Sequence, residues 1–228
     1  MSEKLCLDVD ERKTVVLSKC NAARVNSMCQ HLRVTWSAAE LADAKEARGD
    51  TSAPFSWDRS AEASQKAEYR EWFNRAVPLS DRFSWAKTEV TVEQGVPVLP
   101  FKVRGKSDAL IVLSVSNASG CLLDGIAVNF ELKKPRHDWQ SEAAQAKAQH
   151  IVYSLASDLP MVTVLDLIDQ WVFFWTGAAR KLFYGTAPSR GHALAWLRCL
   201  VGTDSHLGLP SALAARAKFE LFKLFLSI

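Results

Sequence analysis

The sequence predicts a mixed α/β domain whose centre is an antiparallel three-strand meander, flanked by helices. Two observations predict it. From about Thr88 to Lys134 the chain is rich in Val, Ile, Leu and Phe, which is typical of strands. An Ala-rich stretch without Gly or Pro follows at 137–157, which favours a helix. We therefore expect a sheet followed by a crossover helix and further strands.

The N-terminal part of the sequence predicts mostly helix. Residues Thr14–Ser18 indicate a short strand, and Asn21–Arg48 carries apolar residues at helical spacing up to Gly49. A polar loop covers 49–58, and a second helix begins at Ser60 and ends before Pro78. We expect residues 1–58 to form a mostly helical extension.

Three apolar segments, 88–104, 107–117 and 121–134, predict three successive strands. The short sequences GKS and NASG between them favour antiparallel turns, so the strands are expected to pair as the meander. After the helix, MVTVLDL and WVFFW predict two more strands. Residues 59–176 form the expected core of a single domain, and 177–228 an expected helical C-terminal part.

Composition excludes several classes of protein. The 228 residues are 48% hydrophobic, which argues against disorder, and 28 basic against 25 acidic side chains give a net charge of only +3. Five cysteines without a CxxC pair indicate neither a disulfide framework nor a zinc ribbon. An apolar signal segment is absent from the N-terminus, and the most apolar stretch, Met161–Thr176, carries two Asp residues. We expect a soluble intracellular protein without a membrane span.

The third predicted strand carries the residues with chemical potential. Side chains alternate across a sheet, so Glu131 and Lys133 share one face while Ile126, Val128, Phe130 and Leu132 point to the other. Asp108 begins the preceding strand, and antiparallel pairing brings it beside Glu131. Two converging carboxylates suit Mg²⁺ or Mn²⁺, with Lys133 positioning the attacking water. The alternative is a chance tripeptide whose Glu and Lys form a surface ion pair.

Asp108, the Glu131-Leu132-Lys133 tripeptide and the helix after it resemble the PD-(D/E)XK nuclease superfamily, although Gly105-Lys106-Ser107 stands where the motif has its proline. Gln149 and Tyr153 are similar to the QxxxY element of the RecB-like branch, and Gln145 lies on the same helical stripe. The resemblance implies a restriction-endonuclease-like mixed sheet and a metal-dependent endonuclease. It implies metal ligation by Asp108 and Glu131, catalysis by these two with Lys133 and Gln149, and nucleic-acid contacts by Gln145 and Tyr153.

The segment from about Gly105 to Trp175 further resembles the C-terminal nuclease domains of Crinkler and retrotransposon hot spot effectors. This resemblance implies an effector acting in the nucleus of a host cell. Members usually carry a trafficking header and often an NTPase module, and neither an LFLAK-type header nor a GxxxxGK[ST] loop occurs in this sequence.

Basic residues interleaved with aromatics predict the nucleic-acid surface. No acidic residue occurs between Trp171 and Thr203, so the basic residues of this segment are not offset by nearby acids. Basic residues also follow the strand that carries Glu131 and Lys133. The candidate contacts are Lys134, Arg180, Lys181 and Arg190. Glu68 and Glu71 of the first core helix are candidates for an additional metal ligand, or plain surface residues.

The sequence thus predicts a Mg²⁺- or Mn²⁺-dependent endonuclease acting on DNA, with RNA left open. The alternative is a catalytically inactive nuclease-fold module that binds nucleic acid or a host protein. The strongly apolar segment Leu213–Ile228 is expected to be a helix that packs on the core or forms a homodimer or host-protein contact.

Overall fold

The computed structural model describes residues 14–41, 53–58, 60–87, 91–95, 99, 101–133, 139–168, 170–177 and 180–203. These residues form a mixed α/β structure with two sheets. The strands are β1 (Thr14–Val16), β2 (Thr35–Ala38), β3 (Phe83–Trp85), β4 (Thr91–Gly95), β5 (Lys102–Lys106), β6 (Ala109–Leu113), β7 (Ile126–Leu132), β8 (Val162–Asp166), β9 (Trp171–Thr176) and β10 (Lys181–Thr186). The α-helices are α1 (Ala22–Leu32), α2 (Lys66–Ala76), α3 (Ser114–Ser119), α4 (Trp139–Ala156) and α5 (Arg190–Val201).

The larger sheet has seven strands in the order β2-β10-β9-β8-β7-β6-β3. Strands β3, β6 and β7 pair antiparallel, and α4 then carries the chain over the sheet so that β8 runs parallel to β7. Strands β8, β9 and β10 are antiparallel to one another, while β2 pairs with β10 in parallel. The predicted mixed sheet with helices is therefore present.

The meander predicted from β5, β6 and β7 is not confirmed, because β5 belongs to the smaller sheet. There it pairs in parallel with β1 on one edge and antiparallel with β4 on the other. Both of its edges are occupied, so none is left for β6. Strand β3 takes that place beside β6 in the larger sheet.

The connection from β6 to β7 is longer than the predicted NASG turn. The short helix α3 ends at Gly120, whose φ of 79° is a backbone conformation that favours glycine, and a 3-10 turn over Leu122–Gly125 precedes β7. The pairing of β6 with β7 is irregular between Ile111 and Val112. This bulge changes the alternation at the start of β7: Ile126 packs in the cluster beneath α4, whereas Val128 packs on the opposite face.

The predicted helix from Asn21 to Arg48 is wrong for residues 33–41. Helix α1 ends at Leu32 because Arg33 adopts a left-handed conformation, with φ of 51°, and the chain continues directly into β2. Residues 42–52 lie outside the described part of the chain. The N-terminal segment, predicted as a mostly helical extension, therefore also adds the edge strand β2 to the larger sheet.

Residues 180–192, which belong to the predicted helical C-terminal part, contain a strand before the helix begins. Lys181–Thr186 form β10 between β9 and β2, and α5 begins at Arg190. The predicted C-terminal helix at Leu213–Ile228 lies outside the described residues. None of the described helices is long and apolar enough to cross a membrane.

Helices cover both faces of the larger sheet. On one face α2 and α5 pack against it through residues such as Phe73 and Leu194, which lie in one buried cluster with Phe130. On the other face α1 and α4 pack through residues such as Met28 and Val152. Because alternate residues of β7 face the two layers, Glu131 faces α4, and Phe130 faces α2.

Candidate active site

Two elements bring the predicted carboxylates together at the carboxyl end of β7. Glu131 is the penultimate residue of the strand and only 1% exposed. Asp108 lies in the short connection between β5 and β6, where its Oδ2 accepts a hydrogen bond of 3.0 Å from the Leu132 N–H. The Lys133 N–H donates to the Asp166 carbonyl at 3.0 Å, so the parallel pairing with β8 fixes the backbone just beyond β7.

The Glu131 carboxylate is surrounded by donors. Lys133 Nζ lies 2.5 Å from its Oε1, which also accepts from Gln145 Nε2 at 2.5 Å. Its Oε2 accepts from Gln149 Nε2 at 2.5 Å. Lys133 also lies 3.4 Å from Glu142 Oε2, so α4 supplies three side chains to the site. The structure therefore brings Asp108, Glu131, Lys133, Gln145 and Gln149 into one cluster.

Burial and charge perturb the titration of this cluster. Burial raises the pKa of Glu131, and the nearby Asp108 carboxylate raises it further, to about 8, despite the opposing effects of Lys133 and Gln149. Burial lowers the pKa of Lys133, but the Glu131 carboxylate and the other nearby acids outweigh burial and raise it. Lys133 therefore stays protonated while Glu131 exchanges its proton near neutral pH, which is typical of functional sites.

A buried polar network holds Gln149 in place. Asn129 Nδ2 donates to Gln149 Oε1 at 2.9 Å and to Thr163 Oγ1 at 3.3 Å, and the Ser107 hydroxyl donates to Asn129 Oδ1. Asn129, Gln149 and Thr163 are fully buried. The Gln149 amide is thereby oriented with its oxygen towards Asn129 and its nitrogen towards Glu131, so it is positioned as a donor to the carboxylate.

The sequence interpretation missed several members of this site. Asn129 could have been found, because it precedes Glu131 by two residues on the same face of β7. Glu142 lies one turn before Gln145 on α4, so helical spacing also pointed to it. Lys66, whose Nζ lies 3.6 Å from Asp108 Oδ1, is the first residue of α2, and no local pattern connects it to Asp108.

Tyr153 is placed differently from its predicted role as a nucleic-acid contact. It is fully buried in the core cluster beneath α4, so a bound nucleic acid does not reach it in this arrangement. Its hydroxyl oxygen makes no hydrogen bond within the described structure. Burial raises the pKa of Tyr153, and the carboxylates of Glu131 and Asp108 raise it further, so the phenol stays neutral beside the site.

Arg180 and Lys181 lie far from the carboxylates. Register across β8 and β9 places Glu131 level with Thr186, the last residue of β10, whereas Lys181 is the first. The separation is about 14 Å across three strand spacings and about 17 Å along the strands. The predicted nucleic-acid contacts at Arg180 and Lys181 are thus at the opposite end of the sheet.

The remaining candidates are dispersed. Arg190 begins α5, which packs on the α2 face of the sheet, whereas Glu131 faces α4. Glu68 and Glu71 are exposed on α2, and Lys134 lies outside the described residues. Within the described residues no group of three or more His, Cys, Asp and Glu side chains is arranged to hold a metal ion. The carboxylates of Asp108 and Glu131 are the candidate ligands.

Comparison of the chain with protein-family models, with curated proteins and with solved structures finds no match.

Proposed function

We propose that the protein is a divalent-metal-dependent endonuclease that hydrolyses phosphodiester bonds of DNA on a restriction-endonuclease-like fold. The observation that carries the proposal is the convergence of Asp108, Glu131 and Lys133 with Gln145 and Gln149 from the following helix. Support for the fold comes from the order of elements: antiparallel β6 and β7, the crossover helix α4, and β8 parallel to β7. Action in a host nucleus, as an effector, belongs to the same proposal.

The donor set suits a hard divalent cation. Mg²⁺ and Mn²⁺ prefer carboxylate oxygens, and Mg²⁺ commonly uses one or two carboxylates and keeps several waters. Asp108 raises the pKa of Glu131, which shows that the two carboxylates repel each other, and a cation shared by them relieves that repulsion. Asp108 and Glu131 would hold the ion, which would stabilise the charge that develops on the phosphate during hydrolysis.

The other side chains have distinct tasks in this proposal. Lys133 keeps its proton and is 14% exposed at its side chain, so its ammonium can donate to a phosphate oxygen or to the attacking water. Gln145 and Gln149 hold the Glu131 carboxylate by one oxygen each. Holding the carboxylate in a fixed orientation lowers the entropic cost of bringing the reacting groups together.

Strand β5 supplies a path for the DNA backbone. Lys102, Arg104 and Lys106 are exposed and alternate with buried Val103, so their side chains project from one face of the strand that leads to Asp108. Alternate residues of a strand are about 6.7 Å apart, which suits contacts to successive phosphates. This row lies closer to the carboxylates along the chain than Arg180 and Lys181 do.

Plasmid cleavage tests the catalytic claim. Supercoiled DNA is incubated with the protein and Mg²⁺ or Mn²⁺, with and without chelator. We expect cation-dependent nicking that Asp108→Asn and Glu131→Gln each abolish, while Asp158→Asn, an exposed acid just after α4, serves as the matched control and retains it. Absence of cleavage with every divalent cation, or cleavage that resists chelator, contradicts the proposal.

The variant Lys133→Met distinguishes two roles for the Lys133 ammonium, which are acting on the water or phosphate and holding the Glu131 carboxylate. If the ammonium acts on water or phosphate, the variant keeps its calorimetric Mn²⁺ affinity and loses turnover by orders of magnitude, roughly 10²-fold or more. Loss of Mn²⁺ affinity together with activity would instead mean that Lys133 chiefly holds the Glu131 carboxylate.

Salt dependence of DNA binding tests the β5 row. Each phosphate contact contributes about −0.9 to the slope of log affinity against log salt. We expect Lys102→Ala with Arg104→Ala to reduce the slope by about two. Arg180→Gly with Lys181→Ala removes the same charge and should leave the slope unchanged. Glycine is chosen at residue 180 because it adopts the positive φ of 60° there without strain. The opposite outcome would restore β10 as the binding surface.

A nuclease-fold binding module without activity is the second candidate, and one observation favours it. Asp108 and Glu131 each already have a lysine beside them, Lys66 and Lys133, so these two carboxylates have counter-charges without a cation. In that case DNA binds with the β5 salt dependence but is not cut with any cation. If calorimetry also detects no Mn²⁺ binding to the wild-type protein, the binding module is supported over the nuclease.

A further inference from the structure

A cavity lies on the face of the sheet covered by α1 and α4, at the edge formed by β2. It encloses about 310 Å³. Small residues of α1 and α4 form part of its wall, and the larger lining side chains are Asn26, Trp36, Gln140, Lys147, Phe174 and Tyr184. None of the described lining residues is an Asp or a Glu. The cavity is thus an aromatic box that contains one cation.

Lys147 is the centre of this cavity. Its Nζ lies 5.3 Å from the centroid of the Trp36 ring and 4.5 Å from that of Tyr184, so two π faces hold the ammonium. Within the described structure it forms no ion pair with a carboxylate. Burial lowers its pKa, because the half-buried ammonium loses part of its hydration. An anion would compensate it.

The walls define the rest of the ligand. Phe174 packs edge-on against Trp36, with centroids 5.8 Å apart, and lies nearly parallel to Tyr184 at 6.5 Å. Flat ligands gain most from such walls, because rings stack or pack edge-to-face. Asn26 and Gln140 are exposed and place polar groups at the opening. The volume is at the lower end of ligand pockets, which limits the ligand to about one or two fused rings.

We propose that this cavity binds a small planar anion, an aromatic ring bearing a carboxylate or a phosphate, with Lys147 pairing to the anionic group and the rings of Trp36 and Tyr184 contacting the flat body, backed by the buried ring of Phe174. The site does not depend on the proposed nuclease activity. Lys147 lies two residues from both Gln145 and Gln149 on α4. At about 100° per residue, it is about 200° around the helix axis from each of them, so it projects away from Glu131.

Calorimetry with 2-naphthoate and its neutral analogue 2-naphthamide tests the site. We expect wild-type protein to bind the naphthoate at least tenfold more tightly than the naphthamide. Lys147→Met keeps the length of the side chain without its charge and should lose that tenfold preference. Lys181→Met, at an exposed position of β10, is the matched control and should retain it. Phenyl phosphate distinguishes a phosphate ligand from a carboxylate ligand.

A second variant keeps the proposal testable if Lys147→Met does not fold. Gln140→Trp adds bulk at the opening, at an exposed helical position, and should abolish naphthoate binding without lowering the melting temperature. Equal affinity for naphthoate and naphthamide overturns the proposal. So does failure of both naphthoate and phenyl phosphate to bind the wild-type protein, or unchanged binding in Gln140→Trp.

Discussion

Replacement of Glu131 by glutamine should change how stability depends on pH. The pKa of Glu131 rises from an ordinary 4.5 to about 8 in the folded protein, chiefly because the side chain is buried. Between these values the folded state keeps a proton that the unfolded state releases, so the free energy of unfolding falls as the pH rises. The stabilisation is complete below pH 4.5 and is lost as the pH passes 8.

The size of the effect follows from the shift. Each pH unit contributes 1.36 kcal/mol, so the shift from 4.5 to about 8 corresponds to a loss of about 5 kcal/mol. Total stabilities of domains are about 5–15 kcal/mol, so this loss is large. Lys133 keeps its proton across the window because its pKa is raised, and it adds no opposing slope.

Urea unfolding of wild type and Glu131→Gln at pH 5.0, 6.5, 8.0 and 9.0 measures the difference. Glutamine keeps the volume and lacks the charge, and its altered hydrogen bonds to Gln145 and Gln149 add an offset. Asp108 and Glu142 still oppose the effect of burial on the pKa of Lys133 in the variant. We expect wild type to lose stability relative to the variant as the pH rises, by up to about 5 kcal/mol. A difference that is constant from pH 5.0 to 9.0 would refute the reasoning.

Three further predictions concern the fold. His150 is fully buried, and burial lowers its pKa to about 3. The contribution of its neutral form to the free energy of unfolding is therefore fully present above pH 6.5 and is lost as the pH falls towards 3. Urea unfolding of His150→Gln should show a smaller loss of stability over this range. Tyr69→Phe removes the hydrogen bond of 2.9 Å to buried Asp166 and should cost about 2 kcal/mol at pH 7, whereas an unchanged unfolding midpoint would contradict the role of that bond. Gly185→Ala places a Cβ 2.6 Å from the Ala39 carbonyl oxygen and should cost about 1–3 kcal/mol, detected by raised amide exchange in β2; unchanged exchange there would contradict the close approach.

Local sequence patterns were sufficient to predict the structure where a strand or helix is regular. The alternation along β7 placed Glu131 and Lys133 on one face, and the Ala-rich composition located α4 within a few residues of its ends. The same rule failed for Ile126, because a bulge inserts Ala127 as an extra residue of β7 between Ile126 and Val128 and shifts the pleat by one residue. Alternation therefore predicts the site residues only on the regular side of that bulge.

Pairing between distant strands could not be predicted locally. The alternation of β5 shows that Val103 is buried, but it does not tell whether β4 or β6 lies alongside. Lys66 reaches Asp108 only because α2 packs across the sheet end, a consequence of the buried contacts of Tyr69 and Phe73. The left-handed turn at Arg33 has no glycine to mark it, so the sequence interpretation extended α1 too far.

The parallel pairing of β2 with β10 bears on how the chain folds during synthesis. Thr35 pairs with Lys181, and Ala39 donates its N–H to the Tyr184 carbonyl, so this edge of the sheet joins segments that leave the ribosome far apart in time. Until β10 emerges, the β2 segment waits with an unpaired backbone, although Phe174 of β9, the ring that Trp36 packs against, has already been synthesised. Contacts of such long sequence separation are slow to close. The last strand of the larger sheet to be synthesised therefore sets the earliest moment at which its first strand can be incorporated.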